Sequence, residues 1–346
     1  MAEPVTLATA RQRPEVGIVG TGNWGTTLAL LQARAGRRVL LCSRDASRAE
    51  GLAEARENRA SLPGYPFPPG LEVGAGYAAA AMAPIVVLAV PSEHLRAACR
   101  VLRPALGPEH LLVSATKGLE AGTGARVSEV AADELPSHLL AVLSGPNLAG
   151  EIASGMPAAA VLAGIGAGWT ATLAHALSTR LFRIYTSDDV IGVELGGSLK
   201  NVVAVAAGIC DGLGIGINGK AAIVTRGMAE IARLGAACGA NPLTFSGLSG
   251  YGDLFATCVS HSSRNHHVGE QIGRGRPLAA VLGEMTMVAE GVSTAPAARL
   301  LAARHGVEMP ITDQVCAVLF EGKDPRDATG DLLDRLAGSE LAGPLL

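Results

Sequence analysis

The chain has 346 residues, of which 49% are hydrophobic, 17% are charged and 3% are aromatic, and its formal net charge is −3. This length suits about two domains, and the hydrophobic share is large enough for buried cores, which excludes wholesale disorder. The 44 glycines follow no three-residue period, so a collagen-like chain is excluded as well. Without a basic stripe, the sequence does not predict a nucleic-acid partner.

Six cysteines are scattered along the chain without a CxxC pair, so free thiols are expected rather than a zinc site or a disulfide framework. Residues 1–14 are polar and irregular, which predicts a disordered arm and not a signal peptide. The longest apolar stretch, Ala78 to Val90, is interrupted by Pro84 and is too short to span a bilayer. We therefore expect a cytoplasmic protein without stable membrane insertion.

Residues 15–188 alternate between short aliphatic runs and helical runs. The predicted strands are Val16–Val19, Val39–Cys42, Ile85–Val90, Leu111–Ser114, Leu139–Leu143 and Ala159–Ala163, and helices are predicted at Thr26–Ala35 and Ala46–Arg59. Strands that are apolar throughout and separated by helices are typical of a parallel sheet covered on both faces. The pattern predicts an α/β fold with an N-terminal Rossmann-type doubly wound sheet.

From residue 189 onward the pattern becomes almost entirely helical. Helices are predicted at Ile191–Ile209, Lys220–Gly235, Ser262–Ile272, Thr294–His305 and Ile311–Glu321. We therefore predict a mostly α-helical C-terminal domain over residues 189–337 and a loose tail over residues 338–346. Apolar surface to spare on this helical domain would allow a homodimer.

The segment Gly20–Gly25 reads GTGNWG between the first predicted strand and the first predicted helix. In that context GxGxxG indicates dinucleotide binding: Gly20 permits the tight turn, Gly22 the approach of a pyrophosphate and Gly25 close helix–strand packing. The free N–H groups and the positive dipole end of the helix favour the same anion. An ordinary glycine turn is the alternative.

The second strand should end beside the adenosine ribose of such a cofactor. An NAD-specific site places a carboxylate there, hydrogen-bonded to the 2′-hydroxyl. In this chain Ser43 and Arg44 come first and suit a 2′-phosphate, whereas Asp45 comes one position late. The order favours NADP with NAD tolerated, unless Arg44 is only a solvated surface charge.

Other polar residues follow later strands at the same sheet edge, where open α/β sheets bind their ligands. Lys117 comes after one strand and is expected to point into the crevice, where it suits a phosphate or a carbonyl oxygen. The alternative is a surface lysine. The run Ser144–Asn147 follows another strand and completes this edge.

A lysine also interrupts the apolar helix predicted at Ile191–Ile209. Glu194, Gly197, Lys200 and Asn201 are three and four residues apart and therefore share one face. Desolvation lowers the pKa of a lysine towards neutrality, which suits a general base. The alternative is that Lys200 extends its ammonium to solvent.

A last polar cluster contains Asp253 in a glycine-rich segment expected to be a loop, where its carboxylate suits a lysine or a hydroxyl. Ser263, Arg264 and Asn265 follow at a predicted helix start, which suits a phosphate, although a serine there can also be a simple N-cap. Three nearby histidines lack a partner at metal spacing and are interpreted as non-ligands: His261, His266 and His267.

Taken in order, these motifs make the sequence similar to the bacterial NAD(P)-dependent glycerol-3-phosphate dehydrogenases from about Val16 to Glu321. The specific part is VELGGxLKN followed by SRN. The matching segments are GxGxWG at Gly20–Gly25, TKGLE at Thr116–Glu120, Gly145-Pro146, Val190–Gly208, Lys220–Glu230, Gly252–Leu254, Thr257-Cys258, Ser263–Asn265 and Glu290–Val292.

The resemblance implies reversible hydride transfer between dihydroxyacetone phosphate and sn-glycerol 3-phosphate with NAD(P)H, which supplies glycerol 3-phosphate for phospholipid synthesis. It implies that Lys200 donates and accepts the proton. The implied substrate positions are Lys117, Gly145, Asn147, Lys200, Asp253, Ser263, Arg264 and Asn265. The implied cofactor positions are Gly20, Gly22, Asn23, Trp24, Gly25, Arg44, Lys117, Ala149, Arg264, Val288 and Glu290.

Three positions depart from the family pattern and concern substrate affinity more than reaction type. Asn147 stands where the family usually has Ser or Thr, Gly150 where lysine is frequent, and Gly219 where Thr precedes the lysine. Two other hypotheses stay open: a reductase of another small hydroxy acid, and a non-catalytic NAD(P)-binding regulator. The order of the motifs argues against the first, and the presence of Lys200 and Asp253 argues against the second.

Overall fold

The computed structural model describes residues 13–260, 262–285 and 288–334. Residues 1–12 of the predicted arm and the whole predicted tail at 338–346 therefore lie outside the described residues. Within them, eight strands form one sheet in the order β3-β2-β1-β4-β5-β6-β7-β8. The strands are β1 Val16–Val19, β2 Val39–Ser43, β3 Leu71–Ala75, β4 Ile85–Leu88, β5 Leu111–Ser114, β6 Leu140–Ser144, β7 Ala158–Ala163 and β8 Phe182–Ser187.

The order 3-2-1-4-5-6 confirms the predicted doubly wound sheet. Two of its strands are absent from the sequence prediction. β3 contains Gly74 and follows a proline-rich loop, and β8 reads FRIYTS, with Arg183 and Tyr185 exposed. Neither strand is the uninterrupted aliphatic run by which the central strands are recognised.

The pairing of β6 with β7 is antiparallel, which corrects the prediction of a parallel sheet at this position. Every other neighbouring pair in the sheet is parallel. A continuous apolar run indicates that a strand is buried on both faces, but it does not show whether the strand runs parallel or antiparallel to its neighbour. The connection from β6 to β7, residues 145–157, contains only one short helix.

In the described part of the first half, six α-helices cover the two faces of the sheet. They are α1 Asn23–Arg34, α2 Ala46–Ala55, α3 Ser92–Leu102, α4 Val127–Glu134, α5 Ala149–Ala153 and α6 Ala167–Leu177. One apolar core includes Leu28 of α1, Leu52 of α2 and Leu173 of α6. The other includes Leu95 of α3 and Val130 of α4. The helix predicted at Ala46–Arg59 ends earlier, at the left-handed Arg56.

The second half of the described chain is helical, as predicted. Its helices are α7 Val190–Leu213, α8 Gly216–Ala237, α9 Asp253–Val259, α10 Arg264–Gly273, α11 Leu278–Glu284, α12 Glu290–His305, α13 Pro310–Phe320 and α14 Pro325–Leu333. Asp253 begins α9, directly after a π-helical turn at Leu248–Gly252, and so does not lie in a loop. The many glycines before it predict a loop because they disfavour regular helix.

Helix α7 forms the centre of this half. It is long and apolar enough to cross a membrane, but 89% of its apolar window is buried inside the protein. Leu199 and Val203 belong to one helical core, whereas Val202 and Val205 belong to another. Polar side chains on α7 are therefore held between packed layers.

Helices α7 and α10 touch through their backbones. A Cβ added to Gly208 of α7 would overlap the His266 carbonyl oxygen, and one added to Gly269 of α10 would overlap that of Val205. Gly212 and Gly273 approach each other in the same way, with a Cβ on Gly273 only 3.0 Å from the Gly212 Cα. This contact fixes the start of α10 relative to α7.

All six cysteines are free thiols, as predicted. Burial raises the pKa of Cys42, Cys99 and Cys258 to about 12. Burial likewise raises the pKa of Cys210 and Cys316 to about 11. These thiols are inert packing groups at neutral pH.

Candidate active site

Two lysines share one buried carboxylate where the sheet meets the helical half. Lys200 of α7 donates to Asp253 Oδ1 at 2.8 Å, and Lys117, after β5, donates to Asp253 Oδ2 at 2.5 Å. The Lys117 ammonium also donates to the Gly145 carbonyl oxygen at 3.0 Å. Lys200 and Asp253 are 7% and 1% exposed. The structure thus excludes the alternative in which Lys200 extends to solvent.

Thr257 completes the surroundings of the Lys200 ammonium. Its hydroxyl accepts from Lys200 Nζ at 2.5 Å and donates to the Asp253 carbonyl oxygen at 2.6 Å. Sequence reasoning assigned Thr257 no role. The signal that identifies it is its position four residues after Asp253, which places both side chains on one face of α9.

The surroundings of Lys200 lower its pKa below that of a lysine in water, which favours the neutral amine. Desolvation is the main cause and lowers the pKa of Lys200, whereas the Asp253 carboxylate opposes this shift and the Lys117 ammonium adds to it. Two cations facing one carboxylate leave the cluster one negative charge short. The arrangement therefore suits a proton-exchanging lysine or an anionic ligand.

Glu194 does not belong to this cluster, although it lies on the same helix. Its carboxylate accepts from the Ser128 N–H and hydroxyl, both at 2.6 Å, and pairs with Arg126 at 2.6 Å. Burial is the main cause that raises the pKa of Glu194. The residue ties α7 to the start of α4 in the first half.

A second polar chain links α7, α10 and α12. Asn265 Nδ2 donates to Asn201 Oδ1 at 2.8 Å, and Asn201 Nδ2 donates to Glu290 Oε2 at 3.2 Å. Asn265 Oδ1 accepts from the Gly291 N–H at 2.8 Å. Asn201, immediately after Lys200, therefore connects the predicted substrate position Asn265 with the predicted cofactor position Glu290.

The N-terminus of α10 presents the SRN triplet. Ser263 is its N-cap, and its hydroxyl accepts from the His266 N–H at 3.3 Å. The simple N-cap interpretation of this serine is thus consistent with the structure. Arg264 is half-buried, and its guanidinium has no protein partner within the described ranges. It is available to an anion at the helix start.

Polar atoms at the end of β6 also lack partners. Both amide atoms of Asn147 and the Ser144 hydroxyl are buried and make no hydrogen bond to any described residue. Ser144 lies against Gly197 of α7, where a side chain would overlap its Oγ. Buried polar groups are normally satisfied, so these atoms indicate a site for a polar ligand. Ala149 starts α5 just beyond them.

The residues of the Gly20–Gly25 turn fit a dinucleotide. Gly20 has φ +113°, and a Cβ there would lie 2.5 Å from the Ala89 carbonyl oxygen, so only glycine is accommodated. A Cβ on Gly22 would enter open space, which leaves its backbone accessible to a pyrophosphate at the N-terminus of α1. Trp24 packs edge-on against Phe182, and its buried Nε1 has no partner among the described residues.

Two further predicted cofactor positions, Arg44 and Val288, lie at the surface. Arg44 follows β2 and pairs weakly with Asp45 at 3.5 Å, with both side chains more than half exposed. Val288 is 43% exposed. In the sheet, β2 and β5 are three spacings apart, about 14 Å at roughly 4.8 Å each. Arg44 and Lys117 therefore mark two ends of an extended site.

Known proteins match both halves of the chain. Family models described as the N-terminus and the C-terminus of NAD-dependent glycerol-3-phosphate dehydrogenase match residues 15–169 and 189–330. A relative from Prosthecochloris aestuarii, named glycerol-3-phosphate dehydrogenase [NAD(P)+], is 47% identical over 94% of this chain and 99% of its own. A relative of the same name from Desulfitobacterium hafniense is 45% identical over 93% and 91%.

The chain belongs to the NAD-dependent glycerol-3-phosphate dehydrogenase family. The fold agrees: the crystal structure of glycerol-3-phosphate dehydrogenase from Coxiella burnetii superimposes with a TM-score of 0.90 at 37% identity, covering 93% of this chain and 99% of that one. The resemblance predicted from the motifs is thereby confirmed.

The three departures from the glycerol-3-phosphate dehydrogenase pattern lie in different surroundings. Asn147 is the one with unsatisfied buried atoms and thus faces the candidate site. Gly150 has open space beside it, and its carbonyl oxygen accepts from the Tyr65 hydroxyl at 3.3 Å. Gly219 lies in the first turn of α8, where a Cβ would overlap the side chain of Ile215, the residue that precedes this helix.

Among the described residues, no group of three or more His, Cys, Asp or Glu side chains is arranged to hold a metal ion. His266 instead pairs with Asp211 at 2.7 Å, and Asp211 also pairs with Lys220 at 2.6 Å. His261 lies outside the described residues.

Proposed function

We propose that the chain interconverts dihydroxyacetone phosphate and sn-glycerol 3-phosphate, with Lys200 as the proton donor and acceptor. The observation that carries the proposal is the buried Lys200 ammonium held between Asp253 and Thr257. Family membership supports the reaction, and it disfavours both the reductase of another hydroxy acid and the non-catalytic regulator. NAD(P) is the cofactor of the named relatives.

Substrate binding uses the positive groups of the cluster. The phosphate of the substrate binds Arg264 and the N–H groups at the start of α10, beside Ser263 and Asn265. Lys117, Gly145 and Asn147 contact the remainder of the substrate, with the unsatisfied Asn147 amide as a donor or an acceptor. Binding energy from the phosphate orients the reacting carbon next to Lys200.

Lys200 moves the proton. When the ketone is reduced, negative charge develops on its oxygen, and the ammonium stabilises this charge and then donates a proton to it. In the reverse direction, neutral Lys200 removes the proton from the alcohol. Asp253 and Thr257 hold the Nζ in place. The nicotinamide, when bound, supplies or accepts the hydride.

The cofactor lies along the sheet edge. Gly20, Gly22, Asn23, Trp24 and Gly25 hold its pyrophosphate region. Arg44 approaches the adenosine end, and the other cofactor contacts are Lys117, Ala149, Arg264, Val288 and Glu290. Arg44 favours NADP over NAD. The proposal further includes domains at 15–188 and 189–337, a homodimer, a cytoplasmic location and supply of glycerol 3-phosphate for phospholipid synthesis.

The test is a substrate panel with both cofactors. We expect the purified protein to oxidise NADPH with dihydroxyacetone phosphate and to leave pyruvate, acetoacetate and 6-phosphogluconate unchanged. Turnover of one of those three compounds without turnover of the triose phosphate would contradict the assignment.

Lys200→Ala tests the assigned proton carrier. We expect turnover to fall at least 100-fold, since a general acid–base group contributes about 10²–10⁴-fold. Cofactor binding, followed by quenching of Trp fluorescence, should persist because the turn at Gly20–Gly25 is unchanged. Full activity in this variant would remove Lys200 from its role.

A further inference from the structure

A second arginine lies beside the cofactor turn and has no part in the function proposed above. Arg48 is in the first turn of α2, which begins at Ala46, and Arg44 lies just before the Asp45 N-cap of the same helix. Its Nε donates to the Thr21 hydroxyl at 2.9 Å, and its Nη2 donates to the Thr21 carbonyl oxygen at 3.1 Å. Nη2 also reaches the Ser61 hydroxyl at 3.3 Å.

The position of Arg48 is fixed by its contacts with Thr21, which is itself held by Asn58. Thr21 stands between Gly20 and Gly22, so the guanidinium is attached to the turn itself. Asn58, which is fully buried, donates to the Thr21 carbonyl oxygen at 2.8 Å and to the Thr26 hydroxyl at 2.8 Å. The Arg48 Nη1 has no partner within the described ranges and is free to donate to a ligand.

Three further polar or charged groups lie at the end of β2, near Arg48. The hydroxyl of Ser43, the last residue of β2, is buried and makes no hydrogen bond to any described residue. Tyr77 lies within the electrostatic influence of Arg44, Asp45 and Arg48. The Asp45 carboxylate pairs only weakly with Arg44, at 3.5 Å and largely exposed, so Arg44, Asp45 and Arg48 together leave a net positive charge. The surroundings therefore combine two cations with an unsatisfied hydroxyl at the ribose end of the site.

We infer that Arg48 is a specificity-determining residue that binds the adenosine 2′-phosphate of NADP together with Arg44. The inference rests on the proposed function, since it needs a dinucleotide in the turn. A guanidinium already held on its Nε side loses little side-chain entropy when Nη1 donates to a phosphate oxygen. An NAD ribose offers only a hydroxyl at this position and gains nothing comparable.

The experiment measures nucleotide binding without turnover. Isothermal titration of 2′,5′-ADP and of 5′-AMP separates the 2′-phosphate from the rest of the nucleotide. We expect Arg48→Ala to raise the Kd for 2′,5′-ADP at least tenfold, as is typical for a lost charge-assisted hydrogen bond. The Kd for 5′-AMP should change less than about threefold. The Kd of Arg48→Lys for 2′,5′-ADP should lie between those of the unaltered protein and Arg48→Ala, because lysine keeps the charge but lacks the two-pronged guanidinium donor. Arg59→Ala, an exposed arginine paired with Glu57, is the matched control and should change neither.

Each contrary result has a distinct meaning. An equal loss for both nucleotides would show that Arg48 only supports the turn through Thr21, and an unchanged affinity for 2′,5′-ADP would remove it from the site; either result overturns the inference while the proposed function stands. Failure of the unaltered protein to bind either nucleotide would overturn the proposed function as well.

Discussion

At the scale of single residues, the chemistry depends on how a buried ammonium is held. Lys200 is stabilised by one carboxylate that it shares with Lys117 and by one hydroxyl. The sequence alone predicts this lysine and its altered pKa, because a charged residue in an apolar helix requires a partner. The identity of the partners depends on how α9 follows the π-helical turn, and local sequence does not encode that.

The lowered pKa of Lys200 predicts the pH dependence of the oxidation reaction. Neutral Lys200 is the base, so kcat/KM for sn-glycerol 3-phosphate should rise with pH and level off at an inflection below the ordinary lysine value of about 10.4. Asp253 favours the ammonium, so Asp253→Asn should move the inflection to lower pH in addition to reducing the rate. Initial rates between pH 6 and 11 measure both effects. An inflection at or above the ordinary value would contradict the desolvated environment.

At the scale of elements, contacts between backbones decide where the SRN triplet lies. The aliphatic strands and the long helices are predictable from their periodicity, and their ends agree to within a few residues. β3, β8 and α9 are not predictable in this way, because Gly74, the exposed Arg183 and the glycines before Asp253 weaken each pattern. The partner of a small residue such as Gly269 is equally invisible in the sequence, since it lies 64 residues away at Val205.

Gly269→Ala tests the contact of α10 with α7. The added methyl would overlap the Val205 carbonyl oxygen, so α10 must shift or the protein loses stability, at a cost of about 1–3 kcal/mol. We expect a lower melting temperature and a raised KM for dihydroxyacetone phosphate, because α10 begins with Arg264. Calorimetry and initial rates measure these effects.

Gly283→Ala in α11 is the matched control for that substitution. Open space surrounds Gly283 on an exposed helix face, so alanine should stabilise the protein by up to about 1 kcal/mol and leave KM unchanged. Equal behaviour of the two variants would mean that the α7–α10 contact does not position the triplet.

At the scale of the whole molecule, the site exists only where the two halves meet. Lys117 and Gly145 come from strand ends, whereas Lys200 and Asp253 come from helices of the second half. The buried Glu194 carboxylate connects the same two halves through Arg126 and Ser128. Stability and catalytic geometry therefore share one interface.

Glu194→Ala tests the strength of that connection. Removing the carboxylate leaves the Ser128 N–H without its acceptor, and it leaves Arg126 with the Ser128 hydroxyl and the partly exposed Glu129 as partners. We therefore expect a loss of about 3 kcal/mol. Glu129→Ala removes that other partner of the same arginine and should cost up to about 1 kcal/mol. Urea unfolding followed by far-UV circular dichroism measures both. A similar loss in the two variants would show that burial adds nothing to the link.

The buried thiols supply built-in reporters of local opening. A thiol reagent modifies Cys42 in β2 or Cys258 in α9 only after the surrounding structure opens and the thiolate can form. Cys42 immediately precedes Ser43 and Arg44, and Cys258 follows Thr257. A nucleotide should therefore slow the labelling of Cys42, and a triose phosphate should slow the labelling of Cys258. The labelling rates alone would then show which end of the crevice each ligand stabilises.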